Sequence, residues 1–162
     1  MRTSALAVLA LTALLPATAA STPASTQTPR AISAEPTYRL INLASNGSAK
    51  AAPVEDLPIT IDNNPGGSQE KWQIFPAEST YYIWNVGTER FASEDHEQVV
   101  CKGQAPTAWS LIRSEDGTFT IKLPSQDLVW TTAPYGPGLP PKVALKPATG
   151  AATQKWKFSP VN

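Results

Sequence analysis

From about residue 36 onward, large apolar residues fall two apart in short runs, broken every few positions by polar residues, glycine and proline. Three runs share one form: Glu70-Lys71-Trp72-Gln73-Ile74-Phe75-Pro76, Thr107-Ala108-Trp109-Ser110-Leu111-Ile112 and Gln154-Lys155-Trp156-Lys157-Phe158-Ser159-Pro160. In each, a second apolar residue follows the tryptophan by two positions. That spacing sets Trp72 with Ile74, Trp109 with Leu111 and Trp156 with Phe158 on one face of a strand. Three such strands at nearly equal intervals predict one unit used three times.

The unit extends backwards from each tryptophan. Aromatic openers begin at Tyr38, Tyr81 and Phe119, 43 and 38 positions apart. A weaker segment follows each opener: Ser48 to Ala52, Arg90-Phe91-Ala92, and Leu128-Val129-Trp130-Thr131. A third apolar run precedes each tryptophan strand: Ile59-Thr60-Ile61, Gln98-Val99-Val100-Cys101, and Lys142-Val143-Ala144-Leu145-Lys146. Asn42 and Asn85 end their openers at matching places. Pro76 is read as the end of copy one.

Four short strands in each of three copies predict an all-β fold, a β-trefoil, with Trp72, Trp109 and Trp156 as equivalent core residues. No stretch of this region keeps a 3.6-residue period. A sandwich is the other arrangement that such strands permit.

Turn chemistry marks the loops. Ser45-Asn46-Gly47-Ser48 joins the first two strands, because Asn-Gly tolerates the positive φ of tight hairpins. Asn46 also opens a sequon and is a candidate glycosylation site. Every residue from Asp62 to Ser68 is a turn former. Glu94-Asp95-His96-Glu97 reads as a solvated acidic turn that holds the only histidine. Ser114-Glu115-Asp116-Gly117 reads as a hairpin turn, and Ala133 to Pro141 as a rigid loop stiffened by proline. Loops on a rigid all-β body are where binding residues gather.

The amino terminus departs from this pattern. Arg2, the apolar run Ala5 to Leu15 and the small residues Pro16 to Ala20 read as a signal peptide over residues 1–20. The apolar run is shorter than the ~20 residues needed to cross a bilayer, so no membrane span is expected. Ser21 to Glu35 is rich in Ser, Thr, Pro and Ala. It reads as a disordered linker, or as a propeptide ending near Arg30. The folded domain is then residues 36–162 of a secreted, extracellular protein, expected to be a monomer.

Net charge is zero with scattered basic residues, which argues against a nucleic-acid partner. Cys101 is the only cysteine, so no internal disulfide supports the domain. Its apolar neighbours predict a buried, inert thiol. One histidine, no zinc motif, no phosphate loop and no nucleophile elbow leave no candidate catalytic residue, metal site or cofactor. The chain reads as a binding protein and not an enzyme.

The aromatic opener ending in Asn, the Lys-Val-x-Leu third strand and the Trp-x-Phe/Ile fourth strand resemble the β-trefoil peptidase inhibitors of mushrooms, the mycospin and mycocypin type. Tyr38 to Asn42, Pro53 to Leu57, Tyr81 to Val86, Pro140 to Leu145 and Lys155 to Phe158 carry the likeness. The resemblance implies inhibition of a serine or cysteine peptidase through exposed loops. One candidate region is the first-copy pair with Asn46, Gly47, Asn64, Pro65, Gly66 and Gly67. The other is the last loop, Pro147 to Gln154, flanked by the basic residues Lys146 and Lys155, with Lys142 at the edge of the preceding proline loop. A second resemblance is to ricin-B-like lectins, marked by Gln-x-Trp in each repeat, and it implies a glycan partner. Gln154-Lys155-Trp156 fits that mark, Glu70-Lys71-Trp72 and Thr107-Ala108-Trp109 depart from it, and the Cys-Leu-Asp-like sugar strand is missing from all three copies.

Overall fold

A computed structural model describes residues 35–161. The expected signal peptide, and the linker except for Glu35, lie outside the described residues. Twelve strands follow in four-strand groups: β1 (Thr37–Asn42), β2 (Ser48–Lys50), β3 (Thr60–Asp62) and β4 (Trp72–Ala77); β5 (Thr80–Asn85), β6 (Arg90–Asp95), β7 (Gln98–Lys102) and β8 (Ser110–Arg113); β9 (Phe119–Lys122), β10 (Leu128–Ala133), β11 (Lys142–Pro147) and β12 (Trp156–Val161). The only helical elements among the described residues are two 3-10 turns, Ser68–Glu70 and Ala152–Gln154. No helix there is long and apolar enough to cross a membrane.

Six strands close a barrel. β1 pairs with β12 and β4, β4 with β5, β8 with β9, and β9 with β12, all antiparallel. The ring closes between β5 and the start of β8, where Tyr81 and Trp109 exchange two backbone hydrogen bonds of 2.8 Å. The other six strands form hairpins β2–β3, β6–β7 and β10–β11. These meet one another through Lys142 opposite Thr60, Ala144 opposite Gln98 and Pro58 opposite Val100. A six-stranded barrel capped by three hairpins is a β-trefoil.

Trp72, Trp109 and Trp156 are fully buried. Each indole N–H donates to a main-chain carbonyl: Trp72 to Ala49 at 3.0 Å, Trp109 to Ala92 at 3.0 Å and Trp156 to Trp130 at 3.1 Å. These bonds define equivalent positions, and two of the three acceptors are alanines. The third is a tryptophan that the sequence reading passed over. Trp130 is also fully buried and meets Trp109 edge-on at 5.4 Å and Trp156 edge-on at 5.9 Å between ring centroids. The core is therefore lopsided, with its extra aromatic volume in the third copy.

The asparagines that end the first two openers act as clamps. Asn42 donates to the carbonyls of Thr153 at 2.9 Å and Lys155 at 3.3 Å, and its Oδ1 accepts from the Ala44 N–H at 3.1 Å. Asn85 repeats the pattern with the carbonyls of Gln69 at 2.7 Å and Lys71 at 3.3 Å, and with the Gly87 N–H at 3.1 Å. Each clamp grips the end of a 3-10 turn of the preceding unit. At the end of β9, Leu123 fills the corresponding place and is buried. Among the described residues no 3-10 turn precedes Trp109, unlike Trp72 and Trp156.

Two sequence readings need correction. Pro76 does not end copy one but lies inside β4, opposite Tyr81. β4 pairs with β1 only at Trp72 and Gln73, so its later residues form a free edge that tolerates a residue without an N–H. The acidic turn is shorter than predicted. β6 runs through Asp95 and β7 starts at Gln98, so only His96 and Glu97 turn, with His96 at φ 54°. Two-residue hairpins require such left-handed conformations.

Cys101 lies on β7 opposite Ala92 and is 1% exposed. Burial pushes its thiol up to about 12. A thiolate-directed reagent at neutral pH is expected to leave the native protein unlabelled and to label it fully in denaturant. Rapid labelling of native protein would mean that this part of the hairpin opens.

Candidate functional site

The residue two before each core tryptophan differs among the copies, and each copy satisfies it differently. In copy three Gln154 is buried. Its Oε1 accepts from the N–H groups of Thr149 at 2.7 Å and Gly150 at 3.1 Å, while its Nε2 donates to Thr131 Oγ1 at 3.1 Å. In copy two Thr107 stands there, and its hydroxyl accepts from the Glu94 N–H at 2.8 Å. In copy one the residue is Glu70, 1% exposed. Its Oε2 accepts from the Gly67 N–H at 2.6 Å, and its Oε1 lies 3.4 Å from Lys50 Nζ. Lys50 also pairs with Asp62 at 2.8 Å. The hydrogen bond from Lys50 holds the Asp62 carboxyl below its ordinary range. These groups are saturated by one another and hold the loops in place.

The predicted inhibitory residues fall into three places. The first-copy loops do meet: a Cβ on Gly47 would lie 2.4 Å from both Asn63 Oδ1 and Ile61 Cγ2. It is Asn46 that takes the positive φ of that turn, at 54°, whereas Gly47 serves close approach. Asn46 is exposed, as a glycan acceptor must be. Asn64 is held by its N–H donating to Asp62 Oδ1 at 2.9 Å, and Pro65 and Gly66 continue the loop to Gly67.

Lys142 and Lys146 come together in a cleft on the third hairpin, but Lys155 does not join them. Lys155 is tied to Asp116 at 2.9 Å in the β8–β9 turn, because the strand β12 that it precedes lies beside β9. Hydrogen bonds from Thr118 and from Lys155 hold the Asp116 carboxyl well below the usual carboxylate range.

The cleft encloses about 340 Å³. Period two places Lys142, Ala144 and Lys146 on one face of β11. Ala144 leaves room between the two lysines. The opposite wall is the β6–β7 turn, His96, Glu97 and Gln98. That wall is fixed by main chain: Leu145 N–H donates to the Glu97 carbonyl at 2.9 Å, and Gln98 pairs with Ala144. Gln98 Oε1 accepts from Lys142 Nζ at 3.2 Å, and Lys146 Nζ lies 3.4 Å from Glu97 Oε2. Ala133 and Pro134 also line the cleft and are shared with a neighbouring hollow of about 270 Å³.

That second hollow holds Thr132, Tyr135 and Leu139. Tyr135 and Leu139 are exposed, and Lys142 Nζ sits 5.2 Å from the centroid of the Tyr135 ring. The Thr132 hydroxyl is buried without a protein partner among the described residues. Sequence reasoning missed this double hollow because it spans two copies: the turn of copy two lies against a strand of copy three. Among the described residues no group of three His, Cys, Asp or Glu side chains gathers at metal-binding distance.

No family model matches the chain, and no curated protein matches it in sequence. Solved structures do match in fold. The Rhizoctonia solani agglutinin is 18% identical at a TM-score of 0.67, with 77% of this chain and 94% of that chain covered. The Macrolepiota procera ricin B-like lectin, solved in complex with lactose, is 15% identical at a TM-score of 0.64, covering 76% and 94%. A designed threefold-symmetric protein, ThreeFoil, is 12% identical at 0.67, covering 76% and 97%. At these identities the likeness establishes the fold alone: the domain is a β-trefoil.

Proposed function

We propose that this chain is a carbohydrate-binding β-trefoil protein that acts outside the cell by binding and not by catalysis. The double hollow where the second and third copies meet would be its sugar site. The observation that carries this reading is the site's preformed mixture of groups: the exposed Tyr135 ring beside the Gln98 and lysine donors held across a main-chain-braced cleft. Sugars present apolar C–H faces to aromatic rings and hydroxyls to convergent polar groups, and a rigid site loses little entropy on binding them. The fold shared with an agglutinin and with a lectin solved with lactose supports the same reading. The extracellular placement rests on the amino-terminal apolar run and on Asn46, an exposed sequon residue.

The first test is a glycan array probed with the secreted protein. Retention of a defined glycan class is expected, with at least tenfold weaker binding by Tyr135→Ala, whose exposed ring can be removed without unfolding the domain. Retention of no glycan, or binding unchanged in Tyr135→Ala, rules the site out.

Peptidase inhibition is the second reading, favoured by the contact between Gly47 and the Asn63 loop. Papain and trypsin assays with unglycosylated protein and an Asn46→Asp variant test it. Gly47 is unsuitable for such a test, since any side chain there would collide with Ile61 and Asn63.

A further inference from the structure

Charge in the cleft is distributed in a way that a neutral sugar does not require. Lys50, Lys102, Lys122, Lys146 and Lys155 each lie within salt-bridge distance of a carboxylate. Lys71, Lys142 and Lys157 have no carboxylate within that distance among the described residues, and of these three only Lys142 lines the cleft. It is instead steered by the neutral Gln98 amide oxygen at 3.2 Å and by the Tyr135 ring face at 5.2 Å. The ammonium is thus oriented into the wall of a cleft of about 340 Å³ but not neutralised. Because Gln98 Oε1 faces Lys142, its Nε2 is left as a second donor beside the ammonium. Four residues along the same face, at ~13 Å by strand rise, stands Lys146. Its only carboxylate, Glu97, sits at 3.4 Å with 84% of its side chain exposed, a contact that water screens strongly. The cleft therefore offers several donors against one weakly held acceptor charge.

We infer that the ligand of this cleft is an anionic saccharide, one bearing a carboxylate or sulfate group that Lys142 and Gln98 bind while the sugar ring lies toward Tyr135. This rests on the carbohydrate-binding reading above and names its substrate class. A carboxylate or sulfate would give Lys142 the charge-assisted partner that the fold withholds. Because the site is open to solvent, the contribution is salt-dependent, weakening as the Debye length falls below ~10 Å above 0.1 M.

The test uses the secreted protein on an array carrying neutral, uronic-acid, sialylated and sulfated glycans. Titration calorimetry then compares a bound acidic oligosaccharide with its neutral counterpart, the methyl ester for a carboxylate or the desulfated form for a sulfate. The acidic form is expected to bind at least tenfold tighter. Lys142→Gln should remove that advantage, so that the acidic form binds no tighter than the neutral one, with the melting temperature unchanged. Lys157→Gln, on β12 outside the cleft, should change neither. The separate uronate and sulfate arms identify which anion is preferred. Equal binding of charged and neutral partners overturns the anionic inference and leaves carbohydrate binding standing. Anionic binding that survives Lys142→Gln places the site elsewhere and also overturns it. No binding to any glycan overturns both.

Discussion

Trp130→Ala is expected to destabilise the domain by about 3–5 kcal/mol, the range for deleting a large aromatic side chain from a packed core. Trp130 is fully buried and lies edge-on against both Trp109 and Trp156, so its removal strips contacts from two other indoles at once. The equivalent positions in the other copies are alanines, Ala49 and Ala92. Alanine is thus compatible with the backbone there, and the loss measures the cavity and not a strained main chain. Urea denaturation followed by tryptophan fluorescence gives the value, and Trp130→Phe should lose less. A cost below about 1 kcal/mol for the alanine variant would show that the copies repack independently, against the linked aromatic core described here.

The second large effect concerns Glu70. Lys50→Thr removes the cation beside a carboxylate that is almost fully buried, and should cost about 2 kcal/mol. That is less than the full penalty of a broken buried pair, because Lys50 is itself about a third exposed and Glu70 retains the Gly67 N–H. The double variant Lys50→Thr/Glu70→Gln installs the arrangement that Thr131 and Gln154 use in copy three. It should recover most of the loss, giving a coupling energy of about 1–2 kcal/mol in a double-mutant cycle. If the two changes simply add, the two copies do not solve the same packing problem. The copy-three glutamine would then be no substitute for the ion pair.

The Lys50–Glu70 contact shows where sequence reading stops. Glu70 in place of glutamine is visible as a departure from the Gln-x-Trp mark of the lectins. Its partner, twenty positions earlier and on another strand, is not. The same holds for Trp130: its run reads as the weaker strand of copy three, with nothing in the local alternation to rank it among the core tryptophans. Asn42 and Asn85 matched in sequence, yet their role depended on 3-10 turns that no local pattern announced. Among the candidate site residues, the charge of Lys142 and Lys146 marks them in the sequence, and the two share a cleft. Lys155 carries the same mark but is consumed by Asp116. Gly47 reads as a turn residue, yet the positive φ belongs to Asn46 and Gly47 serves close approach to Ile61 and Asn63.

The sequence by itself determined the strands, their number, their grouping into three units and the burial of Trp72, Trp109 and Trp156. Those features depend on period-two alternation and on turn residues, which act between near neighbours. Tertiary structure alone decided how the barrel closes at Tyr81 and Trp109, which copy carries the fourth buried indole, and that the turn at His96 and Glu97 lies against β11 to form a cleft. Those outcomes come from side chains of different copies competing for one interior and one surface. Such competition is settled by packing volume, donor–acceptor pairing and charge in three dimensions, and it leaves no period along the chain.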